Sequence, residues 1–136
     1  MDVSYLLHAT EDADKVAAAV RELIGGSTPF EVEEMEGHFG NSIRKVSLRL
    51  HGEDATRAFT RLKARMPGAL RGAVARDIDK LVDEHSSLYL RFDKQWLLKG
   101  ELTAGYEEAI RLKVKPRAFL MHGHARDFFL GQLKDR

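Results

Sequence analysis

The chain has 136 residues, of which 43% are hydrophobic and 32% charged, a composition typical of one folded soluble domain. It contains no cysteine, which excludes a disulfide framework, a thiol nucleophile and a thiolate metal site. No run approaches the roughly 20 apolar residues that span a bilayer. The acidic start also lacks the basic region of a signal peptide. We therefore expect a cytoplasmic protein with no membrane contact.

The formal net charge is only +1, but the charges are unevenly distributed. Residues 1–84 carry a net charge of −3, and residues 85–136 carry +4. Residues 55–76 contain six basic side chains and no acidic one. Such patches could bind a polyanion although the whole molecule is nearly neutral.

The first half of the chain predicts one strand–helix unit, then a hairpin and two helices. Residues 3–9 alternate like a strand, and Thr10 is expected to cap a helix that ends at Gly25. Two further strands over residues 29–35 and 43–50 are joined by a glycine-rich loop. Helices are expected over residues 53–66 and from Leu70 to Val82, the latter interrupted at Asp77.

The second half predicts three more strands and a terminal helix. Residues 88–92 alternate between apolar and polar side chains, and residues 109–117 show the strongest alternation in the chain. A short strand is expected near residues 99–103. Residues 119–136 are expected to form a helix that carries Phe128, Phe129 and Leu133.

Hairpin-length links join most neighbouring strands, which favours a mainly antiparallel sheet. The expected fold is therefore a two-layer α+β domain with the helices packed on one face of the sheet. We place this domain at residues 1–118 and treat residues 119–136 as a C-terminal extension packed on it.

Several strings resemble an archaeal family of predicted exosome-associated RNA-binding proteins. They are HATED (residues 8–12), EGHFGNSI (36–43), LYLRFDKQ (88–95), KGEL (99–102) and IRLKVKP (110–116). The strings occur in the family's order and at about its spacing. Trp96 and the tail after Pro116 depart from the family's pattern.

The resemblance implies a fold related to the large-subunit ribosomal protein that holds the small ribosomal RNA. It also implies RNA and the exosome as partners. It points to two groups of residues, namely Gly37, His38, Gly40 and Asn41, and Arg91, Asp93, Lys94 and Gln95.

The basic side of the strand at residues 109–117 is the main candidate for RNA phosphates, with further cations and an aromatic ring expected on the same sheet face. These residues are Lys45, Arg49, Tyr89, Arg91, Arg111, Lys113, Lys115 and Arg117. The alternative is a solvated sheet face whose charges discourage aggregation.

A second candidate is a helical stripe formed by Arg57, Arg61 and Arg65, spaced i, i+4, i+8. Lys94 and Gln95 could also contact RNA, while we expect Asp93 to cap a helical turn. The glycine loop at residues 37–41 is read as a plain hairpin rather than a phosphate cradle.

Other functions find little support in the sequence. A metal site needs a third and a fourth ligand, and apart from Asp127 nothing at ligand spacing accompanies His122 and His124. No nucleophile elbow, HExxH motif or paired-carboxylate motif is present, so we expect neither an enzyme nor a cofactor. The alternative is a protein-interaction module or homodimer that uses the apolar tail around Phe128 and Phe129.

Overall fold

Alternating apolar and charged residues build the strands, because successive side chains of a strand point to opposite faces. The computed structural model describes residues 1–36, 40, 42–116 and 122–134, and within them five strands form one antiparallel sheet. The strands are β1 (Asp2–His8), β2 (Glu31–Glu36), β3 (Ser42–Arg49), β4 (Leu88–Asp93) and β5 (Ala109–Val114). Their order is β2-β3-β1-β5-β4, so β1 is the central strand.

Helices cover one face of this sheet, as expected for a two-layer α+β fold. In the described residues they are α1 (Ala13–Ile24), α2 (Gly52–Arg65), α3 (Gly68–Arg76), α4 (Ile78–Leu81), α5 (Lys94–Leu98) and α6 (His122–Lys134). The covered face carries apolar side chains from four strands, such as Tyr5 and Val46, and these join the helices in one hydrophobic core. Every described helix is too short or too polar to span a bilayer.

The first helix begins two residues later than the sequence suggested. The cap is Asp12, whose carboxylate accepts the backbone N–H groups of Asp14 at 3.1 Å and Lys15 at 3.2 Å. Thr10 lies in the preceding turn, where the N–H of Glu11 donates to the carbonyl of His8. Thr10 and Asp12 are both acceptable cap residues, so the sequence alone did not separate them.

The strand expected near residues 99–103 is wrong, because the chain enters α5 directly after β4. Asp93 caps this helix by accepting the N–H of Trp96 at 2.9 Å, which confirms its predicted capping role. Gly100, with φ of 84°, follows the helix. The apolar run before the predicted strand is therefore helical, and just after that strand Ala104 forms an isolated bridge to Phe92 of β4.

The C-terminal helix packs into the same core. Phe129 is fully buried and meets the ring of Phe59 of α2 edge to face, with the ring centroids 6.3 Å apart. Ala125 and Leu133 are also buried, whereas Phe128 remains 39% exposed. Gly37, His38, Asn41 and Arg117, which the sequence singled out, lie outside the described residues.

Candidate nucleic-acid interface

The uncovered face of the sheet collects most of the predicted cations. Strand register places them in two neighbouring rows that run across the sheet. One row reads Arg49, Asp2, Lys113, Tyr89, and the next reads Ser47, Ser4, Arg111, Arg91. Lys45 lies one row further along β3, opposite Leu6. We call this surface, carrying Lys45, Arg49, Tyr89, Arg91, Arg111 and Lys113, the open face.

Two arginines lie directly opposite each other near the edge of the open face. Arg91 of β4 and Arg111 of β5 are register partners, and both side chains are exposed. Among the described residues neither forms an ion pair or a side-chain hydrogen bond. Directly opposed like charges destabilise a sheet. The arrangement is thus suited to bind an external anion.

Beside this pair, Tyr89 presents an oriented aromatic ring. Its side chain is 40% exposed and hydrogen-bonds to Asp83, while the Lys113 ammonium lies 5.5 Å from the ring centroid. Burial alone would raise the pKa of Asp83, but hydrogen bonds from Ser87, Tyr89 and His85 hold it below its ordinary value. The hydroxyl end of the Tyr89 ring therefore lies beside the Asp83 carboxyl group.

The centre of the open face has a shallow depression of about 60 Å³. Lys45 and Arg111 flank it from either side of β1, and Ser4 and Leu6 lie between them. Leu6 is 40% exposed, an apolar side chain within a polar surface. Neither Lys45 nor Arg111 has an ion-pair partner among the described residues, and Glu107 and Glu108 also line the depression.

Arg49 is less available than its neighbours. Its Nε donates to the Asp2 carboxylate at 3.1 Å across the strand pair. Both side chains are substantially exposed, so the pair can open at little cost.

The acidic strand β2 limits the open face on one side. It carries four glutamates, Glu31, Glu33, Glu34 and Glu36, and all six of its residues are exposed. Glu33 lies opposite Lys45, and Glu31 lies opposite Ser47. This edge of the sheet is therefore negatively charged, whereas β5 and β4 carry the cations Lys113, Arg111 and Arg91.

The predicted arginine stripe lies on the helical layer, on the other side of the sheet from the open face. Arg57 pairs with Asp54 and Glu53, and the Nε of Arg61 donates to the carbonyl of Glu22 at 2.7 Å. Arg65 is half-buried. The stripe and the open face are thus separate surfaces, and Arg57 and Arg61 already have partners within the protein.

Lys94 corrects a further expectation, because it is not a surface contact. The residue is 1% exposed, and its ammonium donates to the Leu6 carbonyl, Glu11 and Glu108 at 2.8, 2.8 and 3.2 Å. The side chain is thereby enclosed beneath the open face, where it links α5 to β1. Its position directly after the Asp93 cap turns it inward, which the sequence did not reveal.

The carboxylates around Lys94 form a small ionic cluster with His8. The Nε2 of His8 lies 2.8 Å from Glu108. Burial would raise the pKa of Glu108, but the hydrogen bonds from His8 and Lys94 and their charges lower it instead. Ligand atoms of His8, Glu11 and Glu108 lie within 4.8 Å of one another, as a metal site would require. The Lys94 ammonium, however, already serves as the cation between the two glutamates.

Two further predicted residues are exposed. Lys115 is exposed just beyond the end of β5, and Gln95 is exposed on α5. Two exposed side chains were not among the predicted residues, namely Leu6 and Tyr106, which is 83% exposed beside β4. Both are isolated apolar or aromatic residues whose position only the sheet order reveals.

The fold and the open face together define an α+β protein with an exposed cationic sheet. A family model described as RNA binding matches residues 1–116. The chain belongs to this family of archaeal proteins, as the sequence resemblance indicated.

Individual relatives agree with that assignment. The chain is 32% identical over 126 residues to RNA-binding protein PAB1135 of Pyrococcus abyssi, covering 88% of this chain and 82% of that protein. It is 30% identical over 106 residues to the uncharacterized protein MJ0213 of Methanocaldococcus jannaschii, covering 73% and 70% of the two chains. The solved structure of Mth689, a DUF54 protein from Methanothermobacter thermautotrophicus, has a TM-score of 0.77 at 27% identity. That similarity covers 98% of this chain and 96% of the other.

Proposed function

We propose that the protein binds RNA through the open face and catalyses no reaction. Phosphates would contact Lys45, Arg91, Arg111 and Lys113, with Arg49 and Lys115 at the margin. The family description and the name of the Pyrococcus relative support RNA as the ligand. The choice of surface rests on the structure.

The observation that carries the choice is the opposed pair Arg91 and Arg111. Proteins usually place opposite charges or neutral pairs at such positions, because like charges lower sheet stability. Here two guanidinium groups adjoin Lys113 and Tyr89, with no acidic ion-pair partner for the arginines among the described residues. A phosphate bound between the arginines would remove the repulsion and gain charge-assisted hydrogen bonds.

The helical stripe is not part of this proposal. Arg57 forms an ion pair with Asp54, and Arg61 donates a hydrogen bond to the Glu22 carbonyl, both within the helical layer. A strand of RNA on the open face could not reach them without passing around the edge of the sheet.

The alternative is a homodimer or interaction module that uses the C-terminal tail. It depends on the argument that one helix can bury only one of two adjacent phenylalanines fully. Phe129 is buried against Phe59 and Phe128 is 39% exposed, so one aromatic ring of the pair lies on the surface for such a partner.

An accessory role in RNA processing at the exosome, in the cytoplasm, is the finer part of the proposal, and it rests on the family resemblance alone. Affinity purification from an archaeal host that expresses the tagged protein would test it. Recovery of exosome subunits after nuclease treatment would support a protein contact, and their loss after that treatment would indicate a link through RNA only.

The proposal as a whole is tested by titrating a fluorescein-labelled 20-nucleotide RNA and following its anisotropy between 50 and 300 mM salt. Each neutralised phosphate releases counterions, so four contacts predict a slope of log K against log salt of about −3 for single-stranded RNA. An absence of binding at 50 mM salt would contradict the proposal.

A further inference from the structure

A second recess lies at the outer edge of β4, next to the open face. One end of this edge is covered by the segment after α5. There the backbone N–H of Asp93 donates to the Thr103 carbonyl, and the backbone N–H of Gly105 donates to the Arg91 carbonyl. The other end is closed by a bridge between Leu88 and Val82. The edge at Tyr89 and Leu90 lies between these two covers.

This interval opens into a cleft of about 480 Å³ between the sheet and the helical layer. Its inner wall is apolar, formed in part by Val74 of α3 with Leu90 and Phe92 of β4. Polar groups of Asp77 and Lys80 lie at its margin. An apolar cavity of a few hundred Å³ with a few polar groups is the usual form of a small-ligand site.

Gly105 sets the shape of one wall. A Cβ at this position would lie 2.7 Å from the Asp93 nitrogen and 2.7 Å from the Phe92 carbonyl carbon. Only glycine allows the segment to approach β4 so closely. This close approach places the next residue, Tyr106, at the cleft with 83% of its surface exposed.

The cleft and the open face share two residues of β4. Tyr89 and Arg91 line the cleft, and the same residues end the two rows of the open face beside Lys113 and Arg111. A ligand that places phosphates on the open face, where the Tyr89 ring lies, therefore has a short path over the β4 edge into an apolar recess lined by the exposed Tyr106.

We propose that the cleft receives an unpaired nucleobase of the RNA strand whose phosphates lie on the open face. This inference rests on the proposed RNA-binding function. Flat bases stack on aromatic rings, and an apolar floor matches their faces. Asp77 and Lys80 supply an acceptor and a donor for the edge of the base. Because a paired base must first lose its pairing and stacking at a cost in free energy, the site favours single-stranded RNA over a duplex.

The test compares wild type with Tyr106→Ala in anisotropy titrations of a single-stranded RNA, the same RNA annealed to its complement, and an abasic strand. Tyr106→Ala removes one stacking platform, so single-strand affinity should fall about 10-fold. The salt slope should stay unchanged, because no phosphate contact is lost. Affinity for the duplex and for the abasic strand should not change.

Two further variants make the result specific. Tyr106→Phe keeps the ring and should retain affinity for the single strand. Trp96→Ala removes another exposed aromatic ring, which is 45% exposed on α5 and does not line the cleft, and it should also retain affinity.

The titrations distinguish a failure of the base site from a failure of RNA binding as a whole. If Tyr106→Ala binds the single strand like wild type, or loses abasic-strand affinity equally, the base site is overturned while RNA binding by the open face stands. If wild type binds none of the three RNAs, the proposed function falls and the base site with it.

Discussion

Arg91 and Arg111 face each other across the β4–β5 pair, with exposed guanidinium groups that lack an ion-pair partner in the described part of the chain. Such a pair weakens the sheet that carries it. We interpret it as a cost to stability that bound phosphate removes.

This interpretation predicts that one charge reversal improves folding and impairs binding. In Arg91→Glu, the new carboxylate lies opposite Arg111, so repulsion is replaced by attraction. The free energy of unfolding in urea should rise by about 0.5 to 1 kcal/mol at low salt. RNA affinity should fall several-fold in anisotropy titrations.

Lys45→Glu is the matched control for that prediction. It makes the same charge change on the same face, but it places the new carboxylate opposite Glu33. Stability should therefore fall by a similar amount while RNA affinity again falls. If RNA affinity fell only in the less stable variant, Lys45→Glu, the loss of affinity would reflect folding rather than lost phosphate contacts.

Lys94 is predicted to support the fold. In Lys94→Met, the carboxylates of Glu11 and Glu108 lose their buried cation. Removing one member of a buried ion pair is costly, so unfolding free energy at pH 7 should fall by about 3 kcal/mol. Lys99→Met changes an exposed lysine near the end of α5 and should stay within about 0.5 kcal/mol of wild type.

The pKa of Glu108 predicts the pH dependence of that cluster. Its pKa is lowered in the folded state, so the unfolded state binds the proton more tightly. The contribution to stability is complete above the ordinary value of 4.5 and is lost as pH falls through the lowered pKa. Glu108→Gln should therefore show a shallower decline of stability than wild type when urea unfolding is repeated between pH 6 and pH 3. Equal declines would contradict the assignment.

Gly105 and Gly131 predict opposite results for the same substitution. Gly105→Ala places a methyl group against the β4 backbone and should lower the unfolding free energy by about 1 to 3 kcal/mol. Gly131 lies within α6, and among the described residues its added Cβ would meet no heavy atom within 4 Å beyond its chain neighbours and the backbone of its own helix. Gly131→Ala should raise stability by about 0.5 to 1 kcal/mol through helix propensity. Thermal or urea unfolding of both variants measures the contrast.

Strand alternation predicted the open face well, because the period of two decides which side chains share a face. Arg111 and Lys113 on one strand and Tyr89 and Arg91 on another were assigned correctly to a common surface. The register that opposes Arg91 to Arg111 depends on pairing between distant segments. No local pattern contains that information.

The prediction from sequence was wrong at the end of β4, where the chain turns into α5. Asp93 caps α5, and the next residue, Lys94, turns into the interior to meet glutamates at positions 11 and 108. The sequence predicts that a lysine after a polar cap is exposed, because lysine is almost never fully buried unless it is paired. Its partners are 83 and 14 residues away, which local reasoning could not find.

The most direct test of the central claim compares two double variants in RNA titrations across a salt series. Lys45→Glu/Arg111→Glu reverses two charges of the open face. The carboxylate at position 45 faces Glu33 and lowers stability, whereas the one at position 111 faces Arg91 and raises it. Lys15→Glu/Arg76→Glu makes the same charge change on exposed residues of α1 and α3, in the helical layer. We predict that the open-face variant loses most of its affinity and that its salt slope becomes shallower by about 1.5, because two of the four contacts are lost. The helical-layer variant should bind nearly as well as wild type, and an equal loss in both variants would contradict RNA binding by the open face.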